Sequence, residues 1–199
     1  MILIRPALLV LDMQRDFCDR DGAYARNGLP VALLEPIVPA IASAIEAVRR
    51  VGAPVIATRF MIFTDPDGRA VGLDHMLAVR PFLAREGFRR GSPGCEVIDA
   101  LPRADYEIER YRYSAFFGTP LELLLRGLGV HTLILAGIVT NGAVESTARD
   151  AHLRDFRLVT LRDGVASFRP DLHEASLRNL ASLGEVVDSA RLPARLGAA

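Results

Sequence analysis

Lysine is missing from this chain of 199 residues; all 24 basic residues are arginine. Such uniformity points to a biased genome rather than to selection at each separate position, so an arginine is not marked as catalytic merely by being one. Net charge is missing too. The 24 basic residues are balanced by 24 acidic ones, which removes the electrostatic case for nucleic acid or an anionic membrane as a partner. Cysteine is scarce, with Cys18 and Cys95 alone. Two thiols are too few for a disulfide framework, and a reducing cytoplasm is the expected compartment. No apolar run approaches the roughly 20 residues that cross a bilayer, and the opening MILIRPALLVLD reads as the approach to a strand rather than a cleavable leader. Repeats, low-complexity tracts and an interdomain linker are also lacking.

What the chain does have is apolar substance. Half of its residues are hydrophobic, enough to bury one core and short for two, so residues 1–199 are read as a single domain. Apolar runs alternate with helical patterns from end to end. That alternation predicts a three-layer α/β/α fold with a six-stranded parallel sheet covered by helices on both faces. Strands are expected at Ala7–Leu11, Pro54–Thr58, Tyr106–Glu109, Thr132–Ala136, Arg157–Leu161 and Glu185–Val187. Helices are expected at Leu34–Val51, Pro120–Leu128, Asn141–Arg154 and Leu172–Leu183. The stretch from Met61 to Arg103 differs, being rich in Gly, Pro and charge, with a weak helical pattern at Leu77–Ala84. An excursion of that length in one domain points to a lid or an oligomer contact.

Open parallel sheets bind ligands outside the carboxyl ends of their strands. The rule selects Asp12, Arg110 and the turn from Gly137 to Ala143. Asp12 directly follows an apolar run, where an acid either caps the next turn or faces a ligand. In TLILAGIVTNGAVESTARDA, residues 132–151, the Leu133–Leu135 run reads as a buried strand and Gly137 as the turn out of it. Thr140 reads as the N-cap of a helix whose first turn holds position 143. A thiol there would be activated by the unpaired N–H groups and the helix dipole. Ala143 offers a methyl group, which cannot be a nucleophile, although the same N–H groups can still hold an anion or a developing oxyanion.

Three strings carry a family resemblance, and they come in order: DMQRDF from Asp12, ERYRYSAFF from Glu109, and GIVTNGAVESTARDA from Gly137. Together they resemble the isochorismatase-like hydrolases, or cysteine hydrolase superfamily, from about Leu8 to Ala166. The resemblance implies a Rossmann-like fold with Asp12 as general base. It sets Arg110 where the family carries a catalytic lysine and Ala143 where it carries the nucleophilic cysteine. It also implies a cis peptide between Ile138 and Val139, and an oxyanion hole made by the N–H groups of Val139 and Ala143. Phe17 is implied as a pocket wall, and Gln14 and Tyr113 are taken as further substrate contacts, Gln14 and Asp16 being otherwise structural. Arg112 matches the family's second basic residue. Arginine at position 110 supplies electrostatics without acid–base chemistry, because a guanidinium does not give up its proton.

Cys18 stands near this machinery in sequence, but buried cysteines are far more often packing residues than nucleophiles. Cys95 reads as a loop residue. His75, His131, His152 and His173 are scattered, and the segment TRFMIFTDPDG lacks the histidines through which some members of the family hold a metal, so neither metal nor cofactor is expected. The functional expectation is a hydrolase of a small anionic molecule, working by Asp-dependent vinyl-ether hydrolysis without a thiol. The alternatives are a cysteine amidohydrolase inactivated by a Cys-to-Ala change at position 143, and a non-catalytic relative that binds a small molecule or serves as an oligomeric scaffold. A homodimer or higher homo-oligomer is the expected assembly.

Overall fold

Alternation along the first strand sets the architecture. In β1 (Pro6–Leu11), Ala7, Leu9 and Leu11 join one apolar cluster while Leu8 and Val10 join another. Successive side chains point to opposite faces, so a strand apolar at every position must be covered on both. The computed structural model describes residues 2–197. After β1 come two short helices, α1 (Arg15–Cys18) and α2 (Ala23–Arg26), a 3-10 segment at Val31–Ile37, and α3 (Val38–Arg50). β2 (Val55–Phe60) leads into a small antiparallel pair, β3 (Phe63–Thr64) and β4 (Ala70–Val71), and then α4 (Asp74–Val79). The remaining order is β5 (Tyr106–Arg110), α5 (Leu121–Gly127), β6 (Thr132–Ile138), α6 (Glu145–His152), β7 (Arg157–Ala166), α7 (Pro170–Leu183), β8 (Glu185–Val187) and α8 (Leu192–Leu196).

The main sheet runs β5-β2-β1-β6-β7-β8 and every pair in it is parallel. α3 and α8 pack on one face through Ile41, Ile45, Val48 and Leu192. α5, α6 and α7 cover the other through Leu121, Leu125, Ala148 and Leu177. The chain leaves β1 toward β2 on one side and resumes at β6 on the other, so the strand order reverses between β1 and β6. A ligand crevice opens at such a reversal. Leu11 pairs there with Gly137, whose φ is +101° and where an added Cβ would lie 2.1 Å from the Leu11 carbonyl oxygen. Glycine is what lets β6 approach the end of β1 beside Asp12.

The six-stranded α/β/α architecture is the one expected from the sequence; several boundaries differ. α3 begins at Val38 because Pro36 lies in the preceding turn, which winds as a 3-10 segment. The pattern expected at Leu77–Ala84 splits at Arg80, the residue before Pro81, where the backbone leaves the helix at φ −136° and ψ 71°. β7 continues five residues past Leu161, through a register shift against β6, its apolar run hidden in the sequence by the exposed pair Arg162 and Asp163. The 20-residue helical stretch Val31–Arg50 is, against expectation, long and apolar enough to cross a membrane. Its Ile41, Ala44, Ile45 and Val48 are buried against the sheet, the position of a core helix.

The Met61–Arg103 excursion is sewn to the carboxyl end of the sheet by two buried side chains. Asp16 accepts the Ala23 N–H at 3.1 Å and the Phe88 N–H at 2.7 Å. Gln14 accepts the Phe60 N–H at 2.7 Å and donates to the carbonyls of Phe60 and Cys95, each at 3.0 Å. These bonds fix the roof over the strand ends.

Candidate active site

Three strand ends deliver the polar floor. Asp12 leaves β1 at φ +55° with 1% of its surface exposed. Thr58, two residues before the end of β2, donates its hydroxyl to Asp12 Oδ1 at 2.7 Å. Arg110, the last residue of β5, donates through Nε to the same oxygen at 2.8 Å and pairs through Nη2 with Oδ2. Its Nη1 donates to the Arg112 carbonyl, and the guanidinium lies 5.2 Å from the Phe60 ring centroid. Burial pulls the Arg110 guanidinium down to about 9. The two-point pairing with Asp12 works in the opposite direction, and with the intrinsic basicity of a guanidinium it holds Arg110 protonated.

The end of β6 supplies the backbone groups. The Ile138–Val139 peptide is cis. Val139 is extended, at φ −91° and ψ 144°, and precedes a π turn over Thr140–Val144, in which the N–H groups of Gly142 and Val144 both donate to the Val139 carbonyl. Turns of this kind are frequent at functional sites. Among the described residues none accepts the Val139 N–H. Thr140 does not cap the helix as expected. Val139 holds the cap position, and the Thr140 hydroxyl instead bonds His173 Nδ1 of α7 at 2.8 Å. Ala143, 1% exposed, sits in the π turn. Asn141 Oδ1 accepts from Ser167 at 2.6 Å, which leaves its amide N–H groups to offer a ligand.

These groups surround a cavity of about 460 Å³. Asp12 and Arg110 lie in it with Val139 and Ala143; Phe17, Tyr24, Phe60 and Phe168 form aromatic walls; His75, Arg80, Tyr113 and Arg169 are among the other lining residues. Tyr24 stacks on Phe168 with ring centroids 5.1 Å apart, and Phe17 meets Tyr24 edge-on at 4.7 Å. Burial pushes the Tyr24 hydroxyl up to about 12, against the pull of the neighbouring Arg80 charge. It is a neutral phenol at ordinary pH.

Of the residues singled out in the sequence, Asp12, Phe17, Arg110, Tyr113, Val139 and Ala143 all line this cavity. Gln14 does not, which corrects its reading as a substrate contact. Its amide is fully buried and committed to Phe60 and Cys95. Cys18 opens instead on a separate depression beside Asp19 and Leu34, and burial raises its thiol well above the usual range. Cys95 is buried, with Sγ donating to the Arg89 carbonyl. Neither thiol reaches the cavity. Among the described residues no group of three His, Cys, Asp or Glu side chains is placed to hold a metal ion. Tyr24, Arg80, Ser167 and Phe168 were missed by sequence reasoning. Tyr24 arrives on a short helix without periodicity, Arg80 at the break in the weak Leu77–Ala84 pattern, and the other two follow the hidden extension of β7.

Residues 6–191 match the isochorismatase domain family. The ureidoacrylate amidohydrolase RutB of Methylorubrum extorquens is 32% identical over 204 residues, covering 95% of this chain and 82% of that protein. A cysteine hydrolase from Pseudomonas syringae pv. phaseolicola superposes with a TM-score of 0.82 at 30% identity, over 99% of this chain and 97% of the other. The N-carbamoylsarcosine amidase of Thermoplasma acidophilum gives 0.74 at 29% identity, over 94% and 97%. Similarity of sequence and of shape thus runs through nearly the whole chain, which belongs to the isochorismatase family of hydrolases.

Proposed function

We propose that this chain hydrolyses a small anionic molecule with water rather than a thiol as the attacking group, and that Asp12 handles the proton. One observation carries the reading: Asp12 lines the same cavity as Ala143, whose methyl stands where the family pattern has its nucleophile. Asp12 accepts a proton as water adds to the electrophilic carbon, and the Val139 N–H faces the charge that develops on oxygen. Arg110 holds the carboxylate in place and has no proton to give. Asp12 is then the one proton carrier, and for an amide it would have to give the water proton to the leaving amine. A single carrier suits an enol ether or an activated ester, whose carbon–oxygen bond breaks more readily than the carbon–nitrogen bond of a plain amide. For an enol ether the balance closes on Asp12 alone. Asp12, entering with a proton, gives it to the alkene carbon, water adds to the oxocarbenium carbon so formed and returns its proton to Asp12, and the hemiketal collapses to an alcohol and a ketone as its hydroxyl proton passes to the leaving oxygen. The names of the relatives, ureidoacrylate and N-carbamoylsarcosine among them, support a small substrate bearing a carboxylate.

A non-catalytic binding role is the second reading, favoured by the mutual neutralisation of Asp12 and Arg110. An amidohydrolase inactivated at position 143 stands behind both, because a single Cys-to-Ala change leaves Arg110 unexplained. The test is turnover of isochorismate, small anionic esters, ureides and amides before and after treatment with iodoacetamide. Turnover of an enol ether or activated ester that survives alkylation is expected. Loss of turnover on alkylation would overturn the mechanism, and absence of turnover on every substrate would transfer support to the binding role.

A further inference from the structure

Charge pairing in the cavity leaves one guanidinium over. Asp12 and Arg110 neutralise each other on the floor. Arg169 is held in two-point contact by Asp171, at 2.9 Å and 2.7 Å. Arg80 is different. It is half-buried, it lines the cavity, its Nη1 donates to the Val79 carbonyl at 3.0 Å, and its guanidinium hydrogen-bonds the Tyr24 hydroxyl. Among the described residues no carboxylate forms an ion pair with it. A partly desolvated guanidinium without a counter-charge is a receptor for a carboxylate, which it can meet with two parallel N–H bonds. The wall beside it is aromatic. Tyr24 and Phe168 stack at an interplanar angle of 30°, with Phe17 against the edge of Tyr24. An aromatic wall accepts an unsaturated, planar body more readily than a branched aliphatic one.

We propose that Arg80 is the carboxylate-recognising residue of this site, and that its substrate class is a small planar carboxylate lying against Tyr24 and Phe168. The proposal rests on the anionic-substrate reading above and deepens it. It also moves the anion-binding role away from Arg110, whose hydrogen-bonding groups are turned to Asp12 and Arg112. Carboxylate recognition then resides on the excursion between β2 and β5, at the point where Pro81 ends α4, while the reacting groups stay at the strand ends of the sheet. The two can change independently.

Titration calorimetry of the full chain with benzoate and benzamide tests this, since the two probes share a planar ring and differ in charge. Wild type is expected to bind benzoate at least about tenfold more tightly than benzamide. Arg80→Gln should lose that preference and leave benzamide affinity within about twofold, while Arg80→Lys should recover part of it, keeping the charge without the fork. Unchanged thermal unfolding certifies the fold of each variant. Should Arg80→Gln fail to fold, Arg80→Lys decides, with a benzoate affinity between that of wild type and that of benzamide. Equal affinity for the two probes in wild type, failure of both to bind, or wild-type benzoate affinity in either variant would overturn the proposal. Binding is read here without turnover. An enzyme that binds benzoate through Arg80 but hydrolyses nothing would contradict the mechanism and uphold this assignment.

Discussion

The Asp12 carboxylate is met from two sides, by the Thr58 hydroxyl and by the fork of Arg110, and all three groups are buried. Removing one partner of a buried pair costs more than the pair contributes, because the other charge is left without compensation. Arg110→Met is therefore expected to destabilise the chain by about 3–5 kcal/mol, read from urea unfolding. Arg110→Lys should cost distinctly less, since the charge stays and only the planar fork is lost. Equal losses in the two variants would mean that shape, not charge, holds this position. Asp12, Arg110 and Ala143 were legible in the sequence because each ends or follows a recognisable strand within an ordered motif. Gln14 was misread for a physical reason: spacing tells where a residue lies along the chain but not which way its amide turns, and here it turns into the main chain of Phe60. Arg80 carried no signal, being one arginine among 24 with no lysine to contrast with.

Among the elements, the central strands were the most legible, since β1 and β6 are apolar on both faces and bounded by turn residues. Helix entries were the least legible. Pro36 delays α3, and the π turn at Thr140–Val144 precedes α6 with no side-chain cap to announce it. The excursion was recognisable as unusual, but its path depends on tertiary bonds that leave no periodic trace. Asp16 is the chief of these. Asp16→Ala would leave the Ala23 and Phe88 N–H groups buried without their acceptor, at about 1–3 kcal/mol each. Hydrogen exchange is expected to rise first at Ala23 and Phe88, while the amide of Leu9 in β1 keeps its protection. Uniform acceleration across the sheet would show that the excursion is not a separable unit.

At the scale of the whole molecule, the reversal of strand order between β1 and β6 explains why residues more than a hundred positions apart share one cavity. β1, β5 and β6 end together there, and the excursion closes over them. The fold could be read from alternation together with the three ordered motifs. The cavity could be read only in part, because its floor comes from strand ends and most of its aromatic wall from loops and short helices. The central claim is that the acid at the end of β1 carries the chemistry without help from a thiol. Its most direct test is kcat/KM of Asp12→Asn on a substrate that wild type turns over, with circular dichroism certifying the fold. The account predicts a loss of roughly 10²–10⁴-fold, the range for removing a general acid–base group, with the Arg80 preference for benzoate retained. Full activity in Asp12→Asn would contradict it.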